Sequence, residues 1–205
     1  MPNVSSVKTK FFGAVDALDA DGISVAATIG SATTLTLGGT LTSGGSYTSG
    51  DNIGQLVTIL SAADDSGITF TIVGTNAVGD AQTEVVTGAD ADTATSSGYF
   101  NTVASITTSA SSDAAVTAGV TGTGTGTVFA GRTRIRGLQG LSGTSAGNLL
   151  FKNTSVTGTT LLTVPTQAAA ELIEPYIPDN AVLFDAGAYV NFGSAVATVT
   201  VFYDG

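Results

Sequence analysis

The chain contains no histidine, no cysteine and no tryptophan, and only one methionine. Without imidazole, no side chain titrates ordinarily near neutrality. Without thiols there is no disulfide staple and no thiolate nucleophile. Zinc and copper centres are built mainly from those two residues and are excluded with them. Ser142 lies in GLSGT, which departs from the G-x-S-x-G elbow, and no histidine exists to activate it. Carboxylates, hydroxyls, lysine and arginine remain. The expectation is a protein that is not an enzyme and carries no cofactor or metal. Its stability must come from core packing or partner subunits.

Charge is also scarce, and positive charge most of all. Of 205 residues, 11% are charged, with 6 Lys plus Arg against 16 Asp plus Glu, for a net charge of −10. That balance argues against nucleic-acid binding, which needs a basic footprint, and against anionic membrane surfaces. No apolar run approaches the ~18 residues of a membrane span. Near the N-terminus, Lys8 and Lys10 precede FFGAV, but Asp16 ends the run too early for a signal-peptide core. The expectation is a protein made and used without Sec export.

What is present is small or β-branched: 42% of residues are hydrophobic, there are 27 glycines, and Ser, Thr and Ala fill much of the rest. Such a composition suits pleated strands joined by tight turns. Four parts are expected. Residues 1–12 form an N-terminal arm, 13–120 a strand-rich acidic domain, 121–127 (TGTGTGT) a Gly/Thr linker, and 128–205 a second strand-rich domain. In the first domain the predicted strands are 22–30, 32–39, 55–60, 67–74, 81–88, 100–108 and 114–120. About seven short strands in ~100 residues match an immunoglobulin-like sandwich. In the second they are 133–139, 148–153, 159–165, 181–187, 188–193 and 195–203. AAAELIE (168–174) is the single plausible helix, bounded by Pro165 and Pro175. The fold class expected is all-β: two small antiparallel sandwiches, the first immunoglobulin-like and the second jelly-roll-like.

Two stretches resemble recurring segments of tailed-phage structural proteins, especially marine and cyanobacterial ones. One is RIRGLQGLSGTSAGNLLFKNTSVTGTTLLTVPTQ with IPDNAVLFDAGAYVNFGSAVATVTVFYDG, covering roughly 132–204. The other, 64–107, carries ITFTIVGT, AQTEVVTG and YFNTVASIT. The resemblance implies a virion component assembled in the host cytoplasm. The compact size, without heptads or a glycine-repeat shaft, suits a capsid decoration or cement protein. Its expected partners are the major capsid protein and copies of itself, as a homo-oligomer. A tail or fibre receptor-binding module is the alternative.

Several residues stand out as candidates. Arg132, Arg134 and Arg136 alternate, so on one strand they would share a face at ~7 Å steps. They are either neutralised within the chain, by Glu171, Glu174 or Asp185, or they form an intersubunit contact with carboxylates. Lys8, Lys10, Phe11 and Phe12 either anchor the arm on a neighbour or begin the first strand with one ring in the core. DALDADG (16–22) invites a calcium reading. Aligning Asp19, Asp21 and Gly22 with an EF-hand places Ala17 at its first position and Thr28 at its last, where Glu is needed, so the motif fails. Asp90 and Asp92 are read as solvated turn residues. Glu171 and Glu174, three apart on a helix, would reach a glycosidase spacing, but no tryptophan platform accompanies them.

Overall fold

The computed structural model describes residues 7–168, 170–193 and 196–205. Among these residues there is no helix, and the strands form three sheets. In chain order they are β1 (Lys8–Phe12), β2 (Asp19–Thr28), β3 (Thr42–Ser43), β4 (Ser46–Thr48), β5 (Gly54–Ser61) and β6 (Thr69–Thr75). Then come β7 (Ala81–Thr87), β8 (Thr93–Phe100), β9 (Thr102–Thr108), β10 (Ala115–Phe129), β11 (Thr133–Ser142) and β12 (Gly147–Asn153). The last are β13 (Thr160–Thr166), β14 (Leu172–Ile173), β15 (Val182–Phe184), β16 (Ala188–Gly193) and β17 (Val196–Asp204).

The chain divides into two compact units: Met1–Val15 with Asp51–Ile53 and Thr125–Gly205, and Asp16–Gly50 with Gly54–Gly124. The first unit contains the sheet β1-β17-β11-β14, with β15 also on β11, and the antiparallel set β13-β12-β16. Alternation along β12, β16 and β17 sends Leu149, Phe151, Val190, Phe192, Val199 and Val201 into one core. Each such side chain contributes about 1.5–3 kcal/mol on burial. Phe12 joins that core and packs on Phe192, with ring centroids 5.5 Å apart. The short Asp51–Ile53 segment clamps β1: the Gly13 amide donates to Asp51 O and Asn52 Nδ2 donates to Phe11 O.

The second unit contains the sheet β3-β4-β9-β6-β7 and a layer drawn from β2, β5, β8 and the start of β10. Its core takes Phe70, Ile72 and Ile106 from one layer and Ile23, Ile59 and Phe100 from the other. In β6 the alternation reads as expected, with Phe70 and Ile72 buried and Thr69 and Thr71 on the opposite face. The β3–β4 hairpin turns on Gly44 and Gly45, both at positive φ (60° and 80°), the requirement of a tight two-residue hairpin turn.

Three local expectations differ from the structure. Residues 121–127, expected as a linker, lie inside β10. Threonine is a good strand former, and the alternating glycines admit close neighbours. A Cβ on Gly126 would strike the Phe12 ring. The expected helix at 168–174 does not form among the described residues: Ala168 and Ala170 lie in bends, Ala170 at a positive φ of 54°. Leu172–Ile173 form β14, paired to Gly140 and Leu141, and the Glu171 amide donates to Ser142 Oγ; Ala169 lies outside the described residues. Two turns between prolines are too few to repay helix nucleation, and β11 offers a ready partner edge. Residues 32–39 make a lone bridge, Thr34 to Thr107, although Leu35 and Leu37 are buried as their alternation suggests.

Candidate interaction surface

The arginines gather at one end of the β1-β17-β11-β14 sheet. Arg132 precedes β11, and Arg134 lies opposite Asp204 in register. Arg136 falls in a bulge between Ile135 and Gly137, where the pairing with β17 slips. All three line one open cleft of about 280 Å³ with Thr133, Leu183, Asp204 and Gly205. The strict stripe is therefore broken by the bulge, but the three guanidinium groups still converge.

Their partners lie within the chain, and only one of the three expected carboxylates is among them. Arg132 meets Asp185 at 3.7 Å, with both side chains largely exposed. Arg136 makes the tight pair: its Nε donates to Asp204 Oδ2 at 2.6 Å, and a second nitrogen lies 2.5 Å from the same oxygen. It also donates to the Asp179 carbonyl at 3.0 Å. Arg134 donates to the Asn180 carbonyl at 2.6 Å. Glu171 and Glu174 are elsewhere: Glu171 bonds to Ser142, at the far end of β11. Asp204 is 68 residues from Arg136 in sequence, and no local pattern signals that pairing.

Lys8 joins this end. It donates to Gly205 O at 2.5 Å and stands 5.7 Å from the centroid of the Phe129 ring. Lys10 follows on β1 opposite Val201. The paired aromatics separate: Phe12 is fully buried, whereas Phe11 is 43% exposed. Phe12 thus closes the first strand with its ring in the core and is not available as a surface anchor, while Phe11 is. Phe11 lies opposite Thr200, and Leu141 lies opposite both Thr198 and Leu172. Directly opposed residues share a face. The outward face of this sheet therefore carries Phe11, Leu141 and Leu172, all exposed, and ends in the arginine cleft.

Two carboxylates of the second unit, Asp19 and Asp64, hold local hydrogen bonds. Asp19 accepts from the Thr40 hydroxyl and the Asp21 amide, which hold it below the usual carboxylate range. Asp64 accepts from the Ser66 hydroxyl and amide and is lowered likewise. Among the described residues no group of three or more His, Cys, Asp or Glu is placed to hold a metal ion. Glu171 and Glu174 line a cleft of about 230 Å³ with Thr166 and Ile173, on extended backbone in place of the shared helix face.

Two polar assemblies in the second unit were not legible in the sequence. Gln55, fully buried, accepts from the Asp16 amide and Ser49 Oγ and donates to the carbonyls of Asp16 and Thr121. The Tyr47 hydroxyl lies 2.8 Å from Asp16 Oδ2 and 3.0 Å from Gln55 Oε1, one proton facing two acceptors. Burial pushes the Tyr47 phenol up and also raises Asp16, against the hydrogen bond from Tyr47. In the other assembly, Glu84 on β7 reaches β8. Its carboxylate accepts from the Ser97 amide (2.6 Å), Ser97 Oγ (2.7 Å) and the Gly98 amide (2.8 Å). Partial burial raises its pKa, but these bonds together outweigh burial and hold it below the usual range.

No protein-family model, no curated protein and no solved structure matches this chain.

Proposed function

We propose that this chain is a structural protein of a tailed-phage virion that decorates or cements the capsid shell. It works through the outer face of the β1-β17-β11-β14 sheet. The observation that carries the reading is the grouping on that face of exposed Phe11, Leu141 and Leu172 beside a cleft lined by three arginines. Aromatic and arginine side chains are enriched at protein interfaces, and the guanidinium fork suits carboxylates. The phage-like cadence of 64–107 and 132–204 supplies the virion context. In this reading the first-unit partner is the major capsid protein, with further copies of the chain alongside. The acidic sandwich is immunoglobulin-like and the C-terminal one jelly-roll-like. A decoration protein that binds only the assembled shell stabilises it by mass action.

The test is the variant with Arg132, Arg134 and Arg136 all changed to Gln, added to shells stripped of this chain. The expected result is reduced occupancy and a lower shell melting temperature than with the native chain. Native occupancy and native shell melting would remove the arginine cleft from the interface. A chain recovered in a few copies at the tail would favour receptor binding over cementing.

A further inference from the structure

The two units divide the charge unequally. The first holds every cation of the chain, Lys8, Lys10, Arg132, Arg134, Arg136 and Lys152, against Asp51, Glu171, Glu174, Asp179, Asp185 and Asp204. It is neutral overall. The second unit holds the remaining ten of the sixteen carboxylates and no cation, so the whole net charge of −10 resides there. Self-repulsion of that size opposes compactness and is relieved by a cationic partner.

Five of these ten carboxylates gather at one end of the second unit. Asp64 bridges Asp90, the Ala91 amide bonds to Ala63 O, and the Ser61 amide bonds to Asp92 O. The Asp113 amide donates to Oδ1 of Asp65, whose own amide donates to Ala89 O. Three loops thus hold exposed Asp64, Asp90, Asp92 and Asp113 around Asp65, which is 2% exposed and whose Oδ2 has no hydrogen-bond partner among the described residues. The complementary feature is in the first unit. Arg134 lines the open cleft, and among the described residues its one hydrogen bond goes to a neutral carbonyl, leaving N–H donors of its five to meet a carboxylate. Arg132 is held by a long, exposed ion pair that a better-placed carboxylate can displace.

We propose that the chain associates head to tail with a second copy: the cationic end formed by Lys8, Arg132, Arg134 and Arg136 docks on the Asp64–Asp90–Asp92–Asp113 end of the neighbour. Like ends repel, two acidic units most of all, so the opposite-end pairing is the one that charge selects. Such an interface is heterologous and continues into open chains or closes into a ring. The inference deepens the self-association part of the reading above. It does not depend on where in a virion the chain resides.

The experiment is sedimentation of the full chain at increasing concentration, in salt of about 0.02 M and about 0.5 M. The expected result is a mass that rises with concentration above the 20.2 kDa monomer at low salt and returns to it at high salt, with association at least about tenfold weaker. Arg134→Glu and Asp90→Lys, one in each unit, are each expected to stay monomeric. Mixed, they retain one intact cationic end and one intact acidic end, and their reversed ends are also complementary in charge, so the mixture is expected to associate. A native chain that stays monomeric at low salt overturns the proposal. So does a mixture that stays monomeric, or a single variant that still associates. The Asp90→Lys arm serves if Arg134→Glu disturbs folding, since Asp90 is exposed in a turn. A monomeric native chain would leave shell binding to be judged by its own occupancy measurement.

Discussion

Replacing Glu84 by Gln should loosen the edge of the acidic sandwich. Strand β8 carries a bulge against β5, between the pairs at Leu56 and Thr58, and Ser96 Oγ stitches it by accepting from the Val57 amide and donating to Gly98 O. The bulge turns the consecutive amides of Ser97 and Gly98 toward β7, where Glu84 accepts both and the Ser97 hydroxyl as well. A hydrogen bond to a charged group contributes roughly 1.5–3 kcal/mol. These three share one carboxylate, are not additive, and are partly solvent-screened, so about 1–2 kcal/mol is expected for the set. For a unit near 100 residues that is a drop in Tm of roughly 4–15 °C. The folded pKa of Glu84 lies below its unfolded value. Its contribution is therefore full above the unfolded pKa, near 4.5, and is lost as pH falls through the folded value. Thermal unfolding of the native chain and Glu84→Gln, followed by calorimetry between about pH 7 and pH 3, should show a gap at neutrality that closes in acid. Equal melting at neutrality, or a gap that persists unchanged in acid, would refute the reasoning.

Two further predictions follow from packing and burial. Gly126→Val places side-chain atoms where the Phe12 ring and the Asn52 carbonyl already lie. Overpacking of that kind should cost about 1–3 kcal/mol in denaturant unfolding of the first unit, and a native midpoint would contradict the assigned contact. Asp16 has a folded pKa raised above its unfolded value, so its ionisation opposes folding as pH rises through that window. Asp16→Asn should gain on the native chain by under about 1 kcal/mol between about pH 4 and pH 7, given a half-exposed group. A native-to-variant difference that is flat with pH would show that Asp16 titrates as it does in the unfolded chain.

Much of the fold was legible because alternation is a local signal. TFTIVGT, GNLLFKN and AYVNFG each send alternate side chains inward, as their patterns require. Strand β8 was not legible, because TATSSGYF is small and polar with no apolar alternation. The TGTGTGT run misled for the opposite reason: glycine usually marks flexibility, but here it makes room against Phe12. AAAELIE has helical propensity, yet pairing with β11 overrides it. At the candidate surface the arginines were visible by spacing, whereas their strongest partner was not. Asp204 is brought to Arg136 by the β11–β17 pairing, and only tertiary structure supplies that contact.

The most direct measurement is density of an assembled particle that carries this chain, resolved well enough to count copies and to see what covers the β1-β17-β11-β14 sheet. The account predicts many copies on the shell, with Phe11, Leu141, Leu172 and the arginine cleft buried against another chain. A few copies at the tail with that face open to solvent would contradict it.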